Sequence, residues 1–156
     1  MAALDRELLA EKAAAIERHL DRVAARLPPS SSDLVPSTDA SDSVILHLWQ
    51  AVQLTIDLAV TACLHLKLGT PEDYGDAFRR LSEAGSLEPE LARRLVRAAG
   101  FRNQIAHAYE KLEMDRVYAA ATEGPADLRA FLAALKDRIG PSAGHEDSGR
   151  AAKAPL

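Results

Sequence analysis

Val44–Leu68, VILHLWQAVQLTIDLAVTACLHLKL, is the stretch on which the fold turns. A run this apolar is long enough to cross a bilayer as a helix, which takes about 20 residues. His47, Gln50, Gln53, Asp57 and His65 interrupt it too often for a lipid-facing segment. A buried helix of a soluble bundle fits better. At about 100° per residue, His47, Gln50, Gln53, Asp57, Thr61 and His65 fall within an arc of roughly 120°, and the remaining circumference is almost wholly aliphatic. One polar stripe therefore crosses an oily rod. It faces either water or a functional cleft, and the helix alone does not choose between them.

Reading outward from this helix, residues 4–27 carry Leu8, Leu9, Ile16, Leu20, Val23 and Leu27 at near-helical spacing with charges between them, which predicts an amphipathic helix ended by Pro28 and Pro29. Residues 28–43, PPSSSDLVPSTDASDS, read as a mobile linker that offers Ser41, Asp42 and Ser43 as N-caps. On the other side, Thr70-Pro71-Glu72-Asp73 predicts a helix start with threonine as cap, running to about Ala84 and stopped by Gly85. A second start at Ser86 to Pro89 opens a helix over 89–110, with Gly100 as a point of kinking or close packing. The last helical pattern covers Asp115 to Ile139 with an interruption near Gly124-Pro125. Residues 140–156, GPSAGHEDSGRAAKAPL, are small and polar and read as a disordered tail.

Composition agrees with an all-α chain. Alanine and leucine dominate and aromatics make up only 4%, so the helix-favouring residues outnumber the strand-favouring ones. At 156 residues the chain holds one domain, expected over 1–139, with about four to five helices packed up and down. Cys63 is the sole cysteine, the N-terminus shows neither a basic leader nor a signal-like apolar run, and a reduced cytoplasmic setting is expected. No zinc-type spacing is present, and His47 and His65 lie too far apart along one helix to share an ion, so neither a metal nor a cofactor is expected. The net charge of −4 argues against coating nucleic acid by bulk electrostatics. A local site is still open, because residues 91–109 carry Arg93, Arg94, Arg97 and Arg102 with no acid among them. Arg93, Arg94 and Arg97 are either a phosphate-binding patch or the solvated face of a helix.

The chemistry concentrates just after that patch, in Arg102-Asn103-Gln104-Ile105-Ala106-His107-Ala108-Tyr109. Arginine grips phosphate with a planar fork of donors, and histidine exchanges protons near neutral pH. Asn103 is the only asparagine in the chain and follows the arginine directly. Five residues separate Arg102 from His107, which is about 140° around an ideal helix. Either the helix bends or ends between them, or a working site joins groups from two subunits.

Across roughly residues 44–120 this pattern resembles the HEPN domains, and among them the HepT-like toxins, with Arg102, His107 and Tyr109 at the Arg-x4-His-x-Tyr motif and Asn103 at the neighbouring asparagine. The resemblance implies a HEPN-type all-α bundle that forms a homodimer and cleaves RNA without metal. It also implies a partner, a nucleotidyltransferase antitoxin that uses ATP to add AMP to the motif tyrosine, here Tyr109. HEPN proteins often set a polar or acidic residue of the long helix near the arginine and histidine, a place that Asp57 fills.

Under this reading Arg102 stabilises charge on the phosphorane and His107 moves protons, yielding a 2′,3′-cyclic phosphate and a 5′-hydroxyl. Asn103 and Asp57 support them, and Arg93, Arg94 and Arg97 guide the RNA. Trp49 and Phe101 read as core anchors rather than base-stacking platforms. The competing reading is a catalytically silent helical module that binds nucleotide or a partner protein. A di-metal four-helix protein is set aside, since the paired Glu-x-x-His ligands are missing.

Overall fold

A computed structural model describes residues 6–138, and the expected tail at 140–156 lies outside the described residues. Five helices carry the fold, with no strand among the described residues: α1 (Arg6–Arg26), α2 (Asp39–His65), α3 (Tyr74–Glu83), α4 (Pro89–Ala108) and α5 (Met114–Arg138). Short 3-10 turns occupy Ser31–Asp33 and Tyr109–Lys111. The central element is α2, which packs against each of the other four helices. Although its length and mean hydropathy of 1.4 suit a membrane span, half of that apolar window is buried among its neighbours.

Two apolar clusters hold the helices together. The larger joins Ile16 and Leu20 of α1, Ile56 and Leu58 of α2, Phe78 and Leu81 of α3, Leu95 of α4 and Phe131 of α5. Phe78 meets Phe131 edge to face at 5.6 Å between centroids. Truncating the fully buried Ile56 to alanine would cost about 2–5 kcal/mol through lost burial and the cavity left behind. The smaller cluster, Val23, Leu34, Val44, Ile45, Leu48, Ile105, Val117 and Ala121, lies beneath the Arg102–Tyr109 segment and sets its position.

The helix boundaries correct several expectations. The 28–43 linker ends early, because α2 starts at Asp39 with Thr38 as its N-cap, ahead of Ser41, Asp42 and Ser43. The Thr38 hydroxyl accepts from the Ser41 amide at 3.2 Å while the Ser41 hydroxyl accepts from the Thr38 amide at 3.1 Å. Two orphan donors are satisfied reciprocally, which a threonine–serine pair does as a capping box does with glutamate. The linker is also tied down: Leu34 is buried, and the Tyr118 hydroxyl reaches the carbonyls of Pro28 and Pro29 at 3.0 and 2.9 Å.

Asp73, not Thr70, caps α3 by accepting from the Asp76 amide at 2.8 Å. The loop before it is fastened by Arg80, which donates to Asp76 and to the Leu68 carbonyl, both at 2.7 Å. Gly85 does close α3, at a φ of 81° that favours glycine, with the Ser86 amide returning to the Leu81 carbonyl at 2.8 Å. Gly100 neither breaks α4 nor serves close packing, since a Cβ there would meet nothing within 4 Å. Likewise α5 runs on through Gly124-Pro125. A mid-helix proline costs about 3 kcal/mol, and burial of Leu128, Phe131, Leu132 and Leu135 beyond it outweighs that.

Candidate active site

The motif sits at the C-terminal end of α4. Ile105 faces inward and is buried, half-buried Phe101 packs on the same cluster, and these two anchors orient the residues between and beyond them. Arg102 lies across α2. Its Nε donates to the Gln53 side-chain oxygen at 2.7 Å, and Gln53 in turn donates to Asp57 at 3.0 Å. Its guanidinium carbon lies 5.2 Å from the ring centre of Trp49 and 5.1 Å from that of Tyr74. A further N–H donates to the Asn103 side-chain oxygen at 3.2 Å. The described partners of Arg102 are thus two aromatic rings and two neutral amides. Its fork is held in place with its positive charge unneutralised by direct contact.

The polar stripe of α2 divides between two jobs. Gln53 and Asp57 turn to the motif as a relay behind Arg102, whereas His47 turns to α1, with its Nδ1 3.0 Å from that of His19. Burial, then the charge of its histidine neighbour and of nearby arginines, pushes His19 below the usual imidazole range; burial followed by Arg22 and Arg26 does the same to His47. On the Asp57 side, Leu46 and Leu64 are 51% and 52% exposed. They are five helical turns apart and within about 20° of Asp57 around the axis. That face therefore joins exposed apolar surface to the motif.

His107 and Asn103 are exposed. No break intervenes between Arg102 and His107, because α4 continues to Ala108. The two side chains leave one straight helix about 140° apart. Backbone geometry changes only at Ala108, with φ −146° and ψ 42°, so Tyr109 enters a 3-10 turn and no longer shares the helical face of Arg102. Instead its hydroxyl donates to Asp42, in the first turn of α2, at 2.5 Å. That hydrogen bond, with lesser contributions from burial and the Asp42 charge, pushes the phenol up to about 12. The ring is 45% exposed.

The three arginines upstream are not equivalent. Arg93 pairs with Glu90 on its own helix and Arg94 with Asp127 of α5 at 2.9 Å, while Arg97 has no ion-pair partner among the described residues. Exposed pairs of this kind contribute about 0–1 kcal/mol and yield readily to a phosphate. Arg94 and Arg97 line a groove of about 250 Å³ between α4 and α5, together with Arg116, over a floor that includes Phe101 and Leu48. Tyr74 and Asp42 escape sequence reasoning as site residues, since neither stands near the motif in the chain, and Arg116, seven residues past Tyr109, joins the groove only through the packing of α5 on α4. Trp49, read as a core anchor, is half-buried against Arg102.

Comparison with known proteins places this geometry in context. Residues 16–135 match the family model described as ribonuclease HepT-like. The chain is 26% identical over 130 residues to the mRNA nuclease HepT of Shewanella oneidensis, covering 83% of this chain and 97% of that one. Among solved structures, a tri-AMPylated Shewanella oneidensis HEPN toxin in complex with MNT antitoxin superposes with a TM-score of 0.76 at 26% identity, covering 83% of this chain and 97% of the other. A toxin–antitoxin crystal structure with AMP-PNP gives 0.78 at 25% identity, covering 85% and 99%. With the match running over most of its length and through the Arg102–Tyr109 motif, the chain belongs to the ribonuclease HepT-like family of HEPN domains.

Proposed function

We propose that this chain is the ribonuclease toxin of a toxin–antitoxin pair, cleaving RNA with Arg102 and His107 in a cleft between two copies of itself. The observation that carries the reading is the setting of Arg102: a guanidinium fixed between Trp49 and Tyr74, tied to Gln53, with only neutral groups in described contact. A cation held this way is preorganised for charge that develops on a phosphorane. His107, exposed at the end of α4, takes the ribose 2′-hydroxyl proton or returns one to the leaving 5′-oxygen. The cleavage leaves a 2′,3′-cyclic phosphate and a 5′-hydroxyl and needs no metal. Asn103 steadies the arginine fork, Asp57 steadies Gln53 behind it, and Arg97, with Arg93 and Arg94 once their ion pairs open, guides the RNA strand.

The homodimer is supported by helix geometry. Because α4 is unbroken between Arg102 and His107, one protomer directs them apart, and a twofold axis through the exposed Leu46 and Leu64 face gathers both motifs into one cleft. The antitoxin is a nucleotidyltransferase that transfers AMP from ATP to Tyr109, whose exposed phenol stands two residues beyond His107. The added bulk and negative charge obstruct the RNA path.

The test is cleavage of total cellular RNA in the presence of a chelator, with intact mass read on the same sample. Wild-type protein free of AMP yields cyclic-phosphate ends, and Arg102→Ala and His107→Ala abolish or reduce them by about 10²-fold or more. An unmodified dimer that leaves RNA intact would favour a silent binding module.

A further inference from the structure

The contact between Asp42 and Tyr109 joins residues 67 positions apart, from the start of α2 to the end of α4. Nothing in RNA cleavage requires it. It does supply what a tyrosine needs to act as a nucleophile, namely a proton acceptor already in place. We propose that Asp42 is the catalytic proton acceptor when Tyr109 receives a nucleoside monophosphate, so that the toxin itself contributes a base to its own silencing. The inference rests on the reading of Tyr109 as the modified residue.

The step balances as follows. The Tyr109 oxygen attacks the α-phosphorus of a nucleoside triphosphate and an O–P bond forms. The bond from that phosphorus to the bridging oxygen breaks, and pyrophosphate leaves with the electron pair. The phenolic proton passes to the Asp42 carboxylate and from there to water. No redox change occurs.

Three observations favour Asp42 in this role. Its oxygen lies 2.5 Å from the Tyr109 hydroxyl, so the proton needs no rearrangement to transfer. It stands in the first turn of α2, just inside the Thr38 cap, so its place is set by a capped helix rather than by a loop. And Tyr109 is 45% exposed, so the phenol can be approached by a second protein while it stays bonded to Asp42. With its ionisation pushed up to about 12, the phenol supplies almost no tyrosinate near pH 7. Its proton must leave during attack, as bonding to phosphorus makes the oxygen acidic, and Asp42 is placed to receive it.

The experiment combines the full chain with the Shewanella oneidensis MNT antitoxin and ATP and follows AMP addition by intact mass. Wild type, Asp42→Asn, Asp42→Ala, Asp42→Glu and Tyr109→Phe are compared. Asparagine keeps an oxygen for the phenol to bond but cannot take up the proton. The expected result is a fall of about 10²-fold in kcat for Asp42→Asn and for Asp42→Ala, with KM for ATP unchanged and partial recovery in Asp42→Glu. Thermal melting of each variant alongside checks that the fold is retained. Modification of Asp42→Asn at the wild-type rate would overturn the proposal while leaving Tyr109 as the acceptor. A wild-type chain that takes no AMP, or a Tyr109→Phe chain that takes it equally, would instead remove the reading on which the proposal stands.

Discussion

Replacing Arg102 with lysine keeps the positive charge of the motif and removes its shape. Lysine has no Nε–H to give Gln53, no planar fork, and a point charge where the guanidinium lies between Trp49 and Tyr74. The hydrogen bond from a charged donor contributes about 1.5–3 kcal/mol. Each ring contact adds about 0.5–1 kcal/mol at a partly exposed site, only part of which an ammonium forfeits. Taken together, the positioning lost is about 2–3 kcal/mol, which corresponds to a roughly 30- to 150-fold drop in the rate of the chemical step. Stability should fall by no more than a similar amount, because these contacts also hold the folded chain while Arg102 is half-exposed and outside both apolar clusters. Single-turnover cleavage of a defined RNA, with chelator present and thermal melting measured in parallel, reads both quantities. Should Arg102→Lys cleave within threefold of wild type, the site needs charge alone, and the aromatic clamp and the Gln53 relay are incidental.

Three other contacts carry measurable consequences. Folding lowers the titration of His19 and His47, so the unfolded state binds more protons around pH 6; stability is full above about 6.5 and declines as pH falls through the depressed folded values. Melting temperatures at pH 7.5 and 5.0 should show that decline, and His47→Gln should flatten it; an unchanged slope would refute the coupling. Tyr118→Phe removes the hydroxyl that holds the Pro28 and Pro29 carbonyls, and urea unfolding should report a loss of about 1 kcal/mol. If the proposed dimer uses the face of Leu46 and Leu64, a charge there, as in Leu46→Glu or Leu64→Glu, should leave a monomer in light scattering and remove cleavage while the helical content stays intact. A dimer that survives both substitutions would place its interface elsewhere.

How the site assembles explains which parts could be read in advance. The motif residues were legible because arginine, asparagine, histidine and tyrosine crowd into eight positions with known chemistry. Asp57 was legible as one member of a stripe, but its route to Arg102 passes through Gln53 and depends on how α2 and α4 cross. His47, on the same stripe, faces α1, since an arc of roughly 120° is wide enough to serve two neighbours. Trp49 was legible as a core anchor and packs on the smaller cluster, but its contact with Arg102 was not, because an aromatic ring on an apolar helix has the same local signature whether it packs on leucine alone or on a guanidinium as well.

Sequence by itself determined that the chain is helical, where most of its helices begin and end, and which eight residues form the candidate motif. Those properties arise from local interactions, i to i+4 periodicity, caps and glycine turns, which are written in neighbouring positions. Tertiary structure alone decided that α5 continues through Pro125, that Tyr74 and Trp49 enclose Arg102, and that Tyr109 is bonded to Asp42. Each of these depends on helices meeting across tens of residues. There, burial of several large side chains at about 1.5–3 kcal/mol apiece outweighs any local preference, and no local pattern records which partner the packing will bring.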